Sequence, residues 1–247
     1  MKALILCAGY ATRLYPLTKD RPKSLLPVGK KPMIEYILER VEEIEDIDKV
    51  YIVTNGKFSK HFRRWGEGYQ GKKQLKIIND ETFSDDEKLG AIGDIKFVID
   101  KEKINDELLI IGGDNLFDFS LTDFIRFFNI KKRATVALYN VDDREEIKKY
   151  SVVTLNSEKR IVGFEEKPEN PVTTLIAICM YIFPEKELGF VANYIKEGGN
   201  PDATGFYIAW LHRHRPVYGF TFTGNWYDIG DADLYRFVNK KYSESDQ

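Results

Sequence analysis

Short apolar runs alternate with longer amphipathic stretches through the first half of the chain. Ala3–Cys7 reads as a strand. Met33–Ile44 then places Ile34, Ile37, Leu38, Val41 and Ile44 at helical spacing behind Pro32, a residue suited to a helix start. Lys49–Thr54 (KVYIVT) is the next predicted strand, stopped by Asn55-Gly56. Phe58–Trp65 reads as a helix and Leu75–Ile78 as a strand. After the acidic link NDETFSDDE, Leu89–Ile99 is again helical. Glu107–Ile111 (ELLII) forms a strand that runs into Gly112-Gly113-Asp114-Asn115; Thr122–Phe128 is a helix and Ala134–Val141 a strand.

Strand and helix alternating in this way predict βαβ units with right-handed crossovers, hence an α/β fold whose mostly parallel sheet is covered by helices on both faces. Ligands of such sheets gather at the carboxyl ends of the strands, where the Ala8-Gly9 and Gly113-Asp114 turns fall. From Tyr150 the pattern shortens to β-like pieces at Ser151–Leu155, Ile161–Glu165 and Leu175–Phe183, which predicts a small β-rich subregion. Pro184 opens a helix to about Lys196, Gly205–His212 forms another, and Val217–Thr223 is a strand leading to Trp226-Tyr227-Asp228-Ile229-Gly230. Asp231 caps a last helix to Tyr242, and the tail SESDQ reads as frayed. No Pro- or Ser-rich linker or internal repeat interrupts the chain. A single domain over residues 1–247 is expected, with its halves at 1–145 and 146–247.

Composition removes several alternatives. At 43% hydrophobic and 31% charged the chain has an ordinary globular balance, which argues against disorder or a fibrous repeat. A formal net charge of −2 gives no concentrated basic face, so neither nucleic acid nor an anionic membrane is an expected partner, and any anion site must be local. The opening MKALILCAGY is too short for a signal-peptide core or a membrane span, and a soluble cytoplasmic protein is expected. Cys7 and Cys179, the only cysteines, sit in apolar runs and read as small buried hydrophobes rather than a disulfide. His61, His212 and His214 lack the spacing and the companions of a zinc site.

Leu4–Val28 carries the first candidate chemistry. An apolar strand breaks at Ala8-Gly9 into a small-residue turn, followed by Arg13 and Lys23 on a loop framed by Pro16, Pro22 and Pro27. Small residues let backbone N–H groups approach an anion, and the two cations supply charge where phosphoryl oxygens would sit. Asp114, after an apolar strand and beside glycines, is placed to hold a hard cation such as Mg²⁺ through oxygen. Glu165-Glu166-Lys167-Pro168 ends a strand, and Asp228 stands between apolar residues and Gly230. Each alone has a plainer reading: a solvated surface turn, or an aspartate satisfying local N–H groups. No Gly-Lys-Ser or Gly-Lys-Thr follows Gly9, the triple-glycine dinucleotide fingerprint is missing, and no Gly-x-Ser-x-Gly elbow occurs.

Together these stretches resemble the nucleotidyltransferase family that makes nucleotide sugars from sugar 1-phosphates, which includes glucose-1-phosphate thymidylyltransferases and related NDP-sugar pyrophosphorylases. TRLYPLTKDRPKSLLPVGKKPMIEY is similar to the family's signature, and GGDN, EEKP and WYDIGD follow in the family's order at comparable spacings over nearly the whole chain. The resemblance implies a Rossmann-like, GT-A-like fold with a nucleotide-binding half followed by a sugar-phosphate half. It also implies Mg²⁺-dependent transfer of a nucleotidyl group from an NTP to a sugar 1-phosphate. On matching positions it gives Arg13 and Lys23 the triphosphate and its α-phosphorus, Asp114 and Asp228 the metal, and Glu166 and Lys167 the sugar phosphate. Leu6, Ala8, Gly9, Thr12 and Gly113 would lie along the nucleotide, with Asn79 facing the base.

Departures from the family pattern sit at substrate contacts. Ala8-Gly9-Tyr10-Ala11 stands where Gly-Gly-x-Gly is usual; alanine avoids positive φ, so either the turn has another shape or those positions never required glycine. Lys88, Ser151 and Cys179 each stand where glycine is frequent, near base and acceptor contacts, which leaves the activity class intact and the substrates open. Two other readings are a cytidylyltransferase acting on a non-sugar phosphate such as phosphocholine, and a non-catalytic nucleotide-binding sensor subunit. The sensor would be expected to lose the basic pair or the metal aspartates, which this sequence keeps. Larger family members carry a long C-terminal extension; here a transferase without a second activity is expected. A homo-oligomer is compatible with the sequence, which does not fix the state.

Overall fold

A computed structural model describes residues Met1–Ser245, and in it the first apolar runs become parallel strands. Lys2–Cys7 pairs with Lys49–Thr54 from Lys2↔Lys49 to Cys7↔Thr54, and Lys49–Thr54 pairs in turn with Gln74–Asn79. Successive residues Ala3, Leu4 and Ile5, and Val50 through Thr54, are all buried. Because neighbouring strand residues point to opposite faces, both faces of this sheet are covered. Helices Met33–Glu42 and Ser59–Gly68 connect the strands; the first buries Ile34, Ile37, Leu38 and Val41 of the predicted stripe together with Met33, and it ends at Glu42, so that Ile44 is buried just beyond the helix. The fold is therefore mixed α/β, with parallel strands flanked by helices.

The chain forms two compact units, each assembled from separate stretches. The first comprises Met1–Leu89, Ile111–Asp118 and the chain from Gly224 on; the second comprises Gly90–Ile110 and Phe119–Thr223. In the first unit a short strand Asn115–Phe117 runs antiparallel to Trp226–Asp228, so that Asp228 faces Asn115. Asp231 caps the last helix, Ala232–Ser245, by accepting from the N–H groups of Asp233 at 3.0 Å and Leu234 at 2.9 Å. That helix packs Tyr235 and Val238 into one apolar cluster with Leu14, Leu26, Val28, Met33, Leu116 and Ile229. The Tyr235 hydroxyl also donates to the Pro27 carbonyl at 2.8 Å, and Gly29 N–H to Asn239 Oδ1 at 2.9 Å. The loop bearing Lys23 is thereby fastened at its exit. Ser243, Glu244 and Ser245 of the tail continue the helix rather than fraying, and Asp246 and Gln247 lie outside the described residues.

The turn after Lys2–Cys7 does need a left-handed residue, and it uses an alanine. Ala11 has φ 49° and ψ 43°, a region that costs an L-residue about 1–2 kcal/mol. Its carbonyl compensates by accepting from Leu14 N–H at 3.0 Å and from the buried Thr18 hydroxyl at 2.7 Å. Ala11→Gly removes that penalty, loses part of it to the greater freedom of glycine in the unfolded chain, and gives up a partly buried methyl. The net expectation is roughly 0.5 kcal/mol of added stability, a rise of about 1–2 °C in Tm by thermal denaturation. A lower Tm would show that the methyl's packing outweighs the backbone strain.

In the second unit the β-rich subregion is mainly antiparallel. Ile161–Glu166 pairs with Ser151–Leu155, Ser151 and Val152 pair with Leu175–Phe183, and Leu175–Phe183 pairs with Thr135–Asn140, all antiparallel. Tyr218–Thr221 adds to Thr135–Asn140 in parallel. Pro184 precedes a single 3₁₀ turn, Glu185–Glu187, and the α-helix begins only at Gly189, running to Lys196. Helix Thr204–His214 buries Gly205, Tyr207, Ile208 and Leu211. Tyr207 is fully buried, its ring edge-on to Phe183 at 5.6 Å and to Tyr194 at 5.3 Å, yet its hydroxyl has no hydrogen-bond partner among the described residues. Tyr207→Phe keeps the rings and removes a desolvated hydroxyl, so stability should rise by about 1 kcal/mol and Tm by about 2–4 °C. A fall in Tm on that substitution would mean that the hydroxyl is satisfied.

Among the described residues no helix is long and apolar enough to cross a membrane.

Candidate active site

The first unit brings Lys23, Gly113, Asp114 and Asp228 to the ends of its strands. Lys23 Nζ donates to Asp114 Oδ2 at 2.6 Å and to the Ile229 carbonyl at 2.8 Å, the residue after Asp228. Ile229 N–H donates in turn to the Asp114 carbonyl at 3.1 Å. Asn115, buried, ties the group further: its Nδ2 donates to Asp114 Oδ1 at 2.9 Å, while its Oδ1 accepts from Trp226 Nε1 at 2.7 Å. Trp226 and Asp228 are two apart on one strand and share a face, with Asp228 directly opposite Asn115 in the ladder.

Burial pushes the Asp114 carboxyl up, but the Lys23 ammonium beside it, together with hydrogen bonds from Lys23, backbone and Asn115, holds it below the usual carboxylate range. Asp114 is therefore anionic at neutral pH, and 31% of its side chain stays open.

Gly113 sets how closely these parts meet. Its N–H donates to the Leu6 carbonyl at 2.9 Å, and a Cβ there would lie 2.8 Å from both Leu6 O and Ser24 Oγ and would also strike Cys7 Sγ. Only a residue without a side chain lets the Asp114 turn rest on the first strand at this distance.

Leu6 lies in the strand Lys2–Cys7, and the loop that follows, from Ala8 to Arg13, is braced from beneath. Asn55 Nδ2 donates to the Ala8 carbonyl at 2.8 Å, and its Oδ1 accepts from Phe58 N–H at 3.0 Å. The Tyr10 hydroxyl pairs with Thr82 Oγ1 at 3.1 Å, and Thr82 N–H donates to Asp80 Oδ1 at 2.8 Å. Ala8 and Tyr10 are buried while Gly9 is exposed, with no atom within 4 Å of where its Cβ would be. Thr12 and Arg13 follow in a 3₁₀ turn, Thr12–Leu14; both are exposed, and Arg13 makes no ion pair among the described residues. Asn79 ends its strand with Oδ1 accepting from Glu81 N–H at 2.9 Å.

Asn55, Asn115 and Thr18 were invisible as site residues in the sequence. Asn55 and Asn115 each follow a predicted strand and were readable as simple turn residues.

Two carboxylates with no histidine or thiol form a donor set that suits a hard cation. Mg²⁺ commonly takes one or two carboxylates and completes its shell with water and substrate phosphate oxygens. Among the described residues no group of three or more His, Cys, Asp or Glu is placed to hold a metal ion.

Glu166 and Lys167 belong to the second unit. Glu166 stands directly opposite Ser151 in the antiparallel ladder, and the Ser151 hydroxyl donates to Glu166 Oε2. Lys167 takes a left-handed φ of 46°, its N–H bound to the Tyr150 carbonyl at 3.2 Å and its Nζ 3.9 Å from Glu166 Oε1. Tyr181 pairs its hydroxyl with Thr204 Oγ1 at 2.7 Å, and burial pushes that phenol well up. Cys179 is in no disulfide and is half-buried rather than the buried hydrophobe its apolar run predicts.

A family model described as Nucleotidyl transferase matches residues 2–245. The "Bifunctional protein GlmU" of Methanocaldococcus jannaschii is 31% identical over 231 residues, covering 93% of this chain and 51% of that protein, so the chain spans about half the length of that relative. The "UTP--glucose-1-phosphate uridylyltransferase" of Synechocystis sp. is 26% identical over 245 residues, covering 95% of this chain and 61% of that protein. Among solved structures, UDP-glucose pyrophosphorylase complexed with UDP-glucose superposes with a TM-score of 0.83 at 21% identity, covering 99% of this chain and 98% of that one. At that identity the likeness shows a shared fold. Matched almost from end to end by the family's model, the chain belongs to the nucleotidyl transferase family.

Proposed function

We propose that this protein transfers a nucleotidyl group from an NTP to a sugar 1-phosphate, giving an NDP-sugar and pyrophosphate, with Mg²⁺ held by Asp114 and Asp228. The observation that carries the reading is the meeting of Lys23 and Asp114 at 2.6 Å, with the same ammonium 2.8 Å from the carbonyl next to Asp228. A cation and a carboxylate meet at the end of a buried strand, the place at which α/β sheets bind phosphorylated ligands, and the same ammonium holds the backbone of the residue after Asp228. Family membership and the name of the Synechocystis relative, a uridylyltransferase for glucose 1-phosphate, support the same reading.

In this reaction a phosphate oxygen of the acceptor forms a bond to the α-phosphorus of the NTP. The bond from that phosphorus to the α,β-bridging oxygen breaks, and its electron pair leaves on pyrophosphate. Both reactants are anions, so the protein needs no nucleophile of its own; it needs alignment and charge neutralisation. Lys23 and Arg13 supply positive charge to the phosphoryl oxygens, and Gly9 leaves open space over which the nucleotide can lie. Bound Mg²⁺ would add Lewis-acid stabilisation of the phosphoryl charge. Glu166 accepts from an acceptor hydroxyl, and Lys167, whose side chain is 62% exposed, meets the acceptor's phosphate.

Pyrophosphate release measured over a panel of NTPs and phosphorylated acceptors tests the reading. Turnover with at least one sugar 1-phosphate is expected. Turnover with CTP and phosphocholine but with no sugar 1-phosphate would replace it by the cytidylyltransferase reading, and no turnover with any pair would favour a sensor.

A further inference from the structure

The Ser151 hydroxyl does not merely border Glu166; it occupies one of its two carboxylate oxygens. The two residues are direct cross-strand partners, so their side chains leave the sheet on the same face, where they can meet. Ser151 Oγ donates to Glu166 Oε2. The start of helix Thr204–His214 closes over the same oxygen: a Cβ on Gly205 would collide with both Glu166 Oε2 and Ser151 Oγ, so the helix can approach only because that residue is glycine. The Glu166 side chain is left 13% exposed. Its other oxygen, Oε1, lies 3.9 Å from Lys167 Nζ, beyond hydrogen-bond distance, and Lys167 itself is largely in solvent.

A carboxylate with two open oxygens can accept both hydroxyls of a vicinal diol at once, one on each oxygen. Each carboxylate oxygen has two accepting positions; on Oε2 one takes the Ser151 hydroxyl and the close approach of the Gly205 backbone crowds the rest, so that fork is unavailable. We infer that Ser151 is a specificity-determining positioning residue, fixing Glu166 so that the acceptor sugar is read through one hydroxyl at Oε1 rather than through an adjacent pair. This rests on the proposed sugar-phosphate reading and deepens it: the favoured acceptors are sugar 1-phosphates in which the neighbour of the contacted hydroxyl can be absent or substituted.

The test uses the purified full chain and pyrophosphate release. Glucose, galactose, mannose and N-acetylglucosamine 1-phosphates are screened with the preferred NTP, and the best acceptor is then compared with its ring monodeoxy analogues. For the wild type, removal of one hydroxyl should lower kcat/KM on the order of tenfold or more, the loss typical of a hydrogen bond to a charged group, while removal of either neighbour changes it less than about threefold. In Ser151→Ala the Gly205 backbone stays, but the position from which Oγ donated to Oε2 is vacated, so a neighbouring hydroxyl can donate there and its removal should now cost on the order of tenfold. Ser151→Thr, which keeps the hydroxyl, should retain the wild-type profile. These ratios compare acceptors on one enzyme, so partial unfolding of a variant does not move them, and the KM for NTP reports an intact first unit. Two adjacent hydroxyls of equal importance in the wild type, or identical profiles in wild type and Ser151→Ala, would overturn the inference while leaving the proposed reaction standing. Turnover of phosphocholine with none of the sugar 1-phosphates would remove the proposed reaction, and this inference with it.

Discussion

Lys23→Met should lower turnover at least about a hundredfold while leaving a folded protein. Loss of one charge contact made in a phosphoryl-type transition state is typically worth on the order of 3 kcal/mol. Lys23 is well placed to make such a contact, because its ammonium already sits between Asp114 Oδ2 at 2.6 Å and the Ile229 carbonyl at 2.8 Å. Methionine keeps the apolar stem and removes only the charge. The stability cost should be smaller than the kinetic one. Breaking a fully buried ion pair costs about 3–5 kcal/mol, but 31% of the Asp114 side chain is exposed and can be hydrated, so about 1–2 kcal/mol is expected here. Lys23→Arg should not restore the rate, since a planar fork cannot place one compact charge between a carboxylate and a carbonyl at these distances. Steady-state kinetics beside thermal denaturation separates the two effects. Turnover within threefold of wild type would take Lys23 out of the reaction.

Why this pairing could be anticipated only as chemistry, and not as contact, follows from its length in sequence. Lys23 and Asp114 are 91 residues apart, and nothing local in either stretch names the other. Other parts of the fold were legible locally, because an apolar run bounded by turn residues marks a strand: Lys49–Thr54 and Ser151–Leu155 match their predicted limits residue for residue. Asn115–Phe117 was not, since three residues after a turn show no period, and its partner strand begins more than a hundred positions later at Trp226. Ala11 shows another limit. Its intrinsic preference argues against a left-handed turn, and that conformation is held by a hydroxyl seven residues on and by an apolar cluster that includes the last helix. Local propensity lost to tertiary contacts there. Ser151 was noticed as a departure from glycine, but its effect depends on strand register, which puts it opposite Glu166 and not Glu165. A one-residue slip would have placed the hydroxyl on the other face of the sheet.

Asp114→Asn and Asp228→Asn should each reduce Mg²⁺-dependent turnover by at least about a hundredfold, and the double variant should be little worse than the weaker single one. The non-additivity is the informative part. Asp228 faces Asn115 in the ladder, Asn115 donates to Asp114 at 2.9 Å, and Ile229 N–H returns to the Asp114 carbonyl at 3.1 Å. If the two carboxylates serve one ion, removing either already removes most of its hold, and the second substitution has little left to take away. Independent roles would instead multiply, to about ten-thousandfold or more in the double variant. Asparagine preserves side-chain shape, so the substitution tests charge rather than packing. The two singles should differ in stability: in Asp114→Asn the Lys23 ammonium, on a side chain only 16% exposed, loses its carboxylate, and a drop in Tm should accompany the kinetic loss. Kinetics over a Mg²⁺ titration, with the half-saturating concentration shifted upward in each single variant, is the measurement. Unchanged Mg²⁺ dependence in both singles would place the metal elsewhere, and a multiplicative double variant would divide the two aspartates between separate tasks.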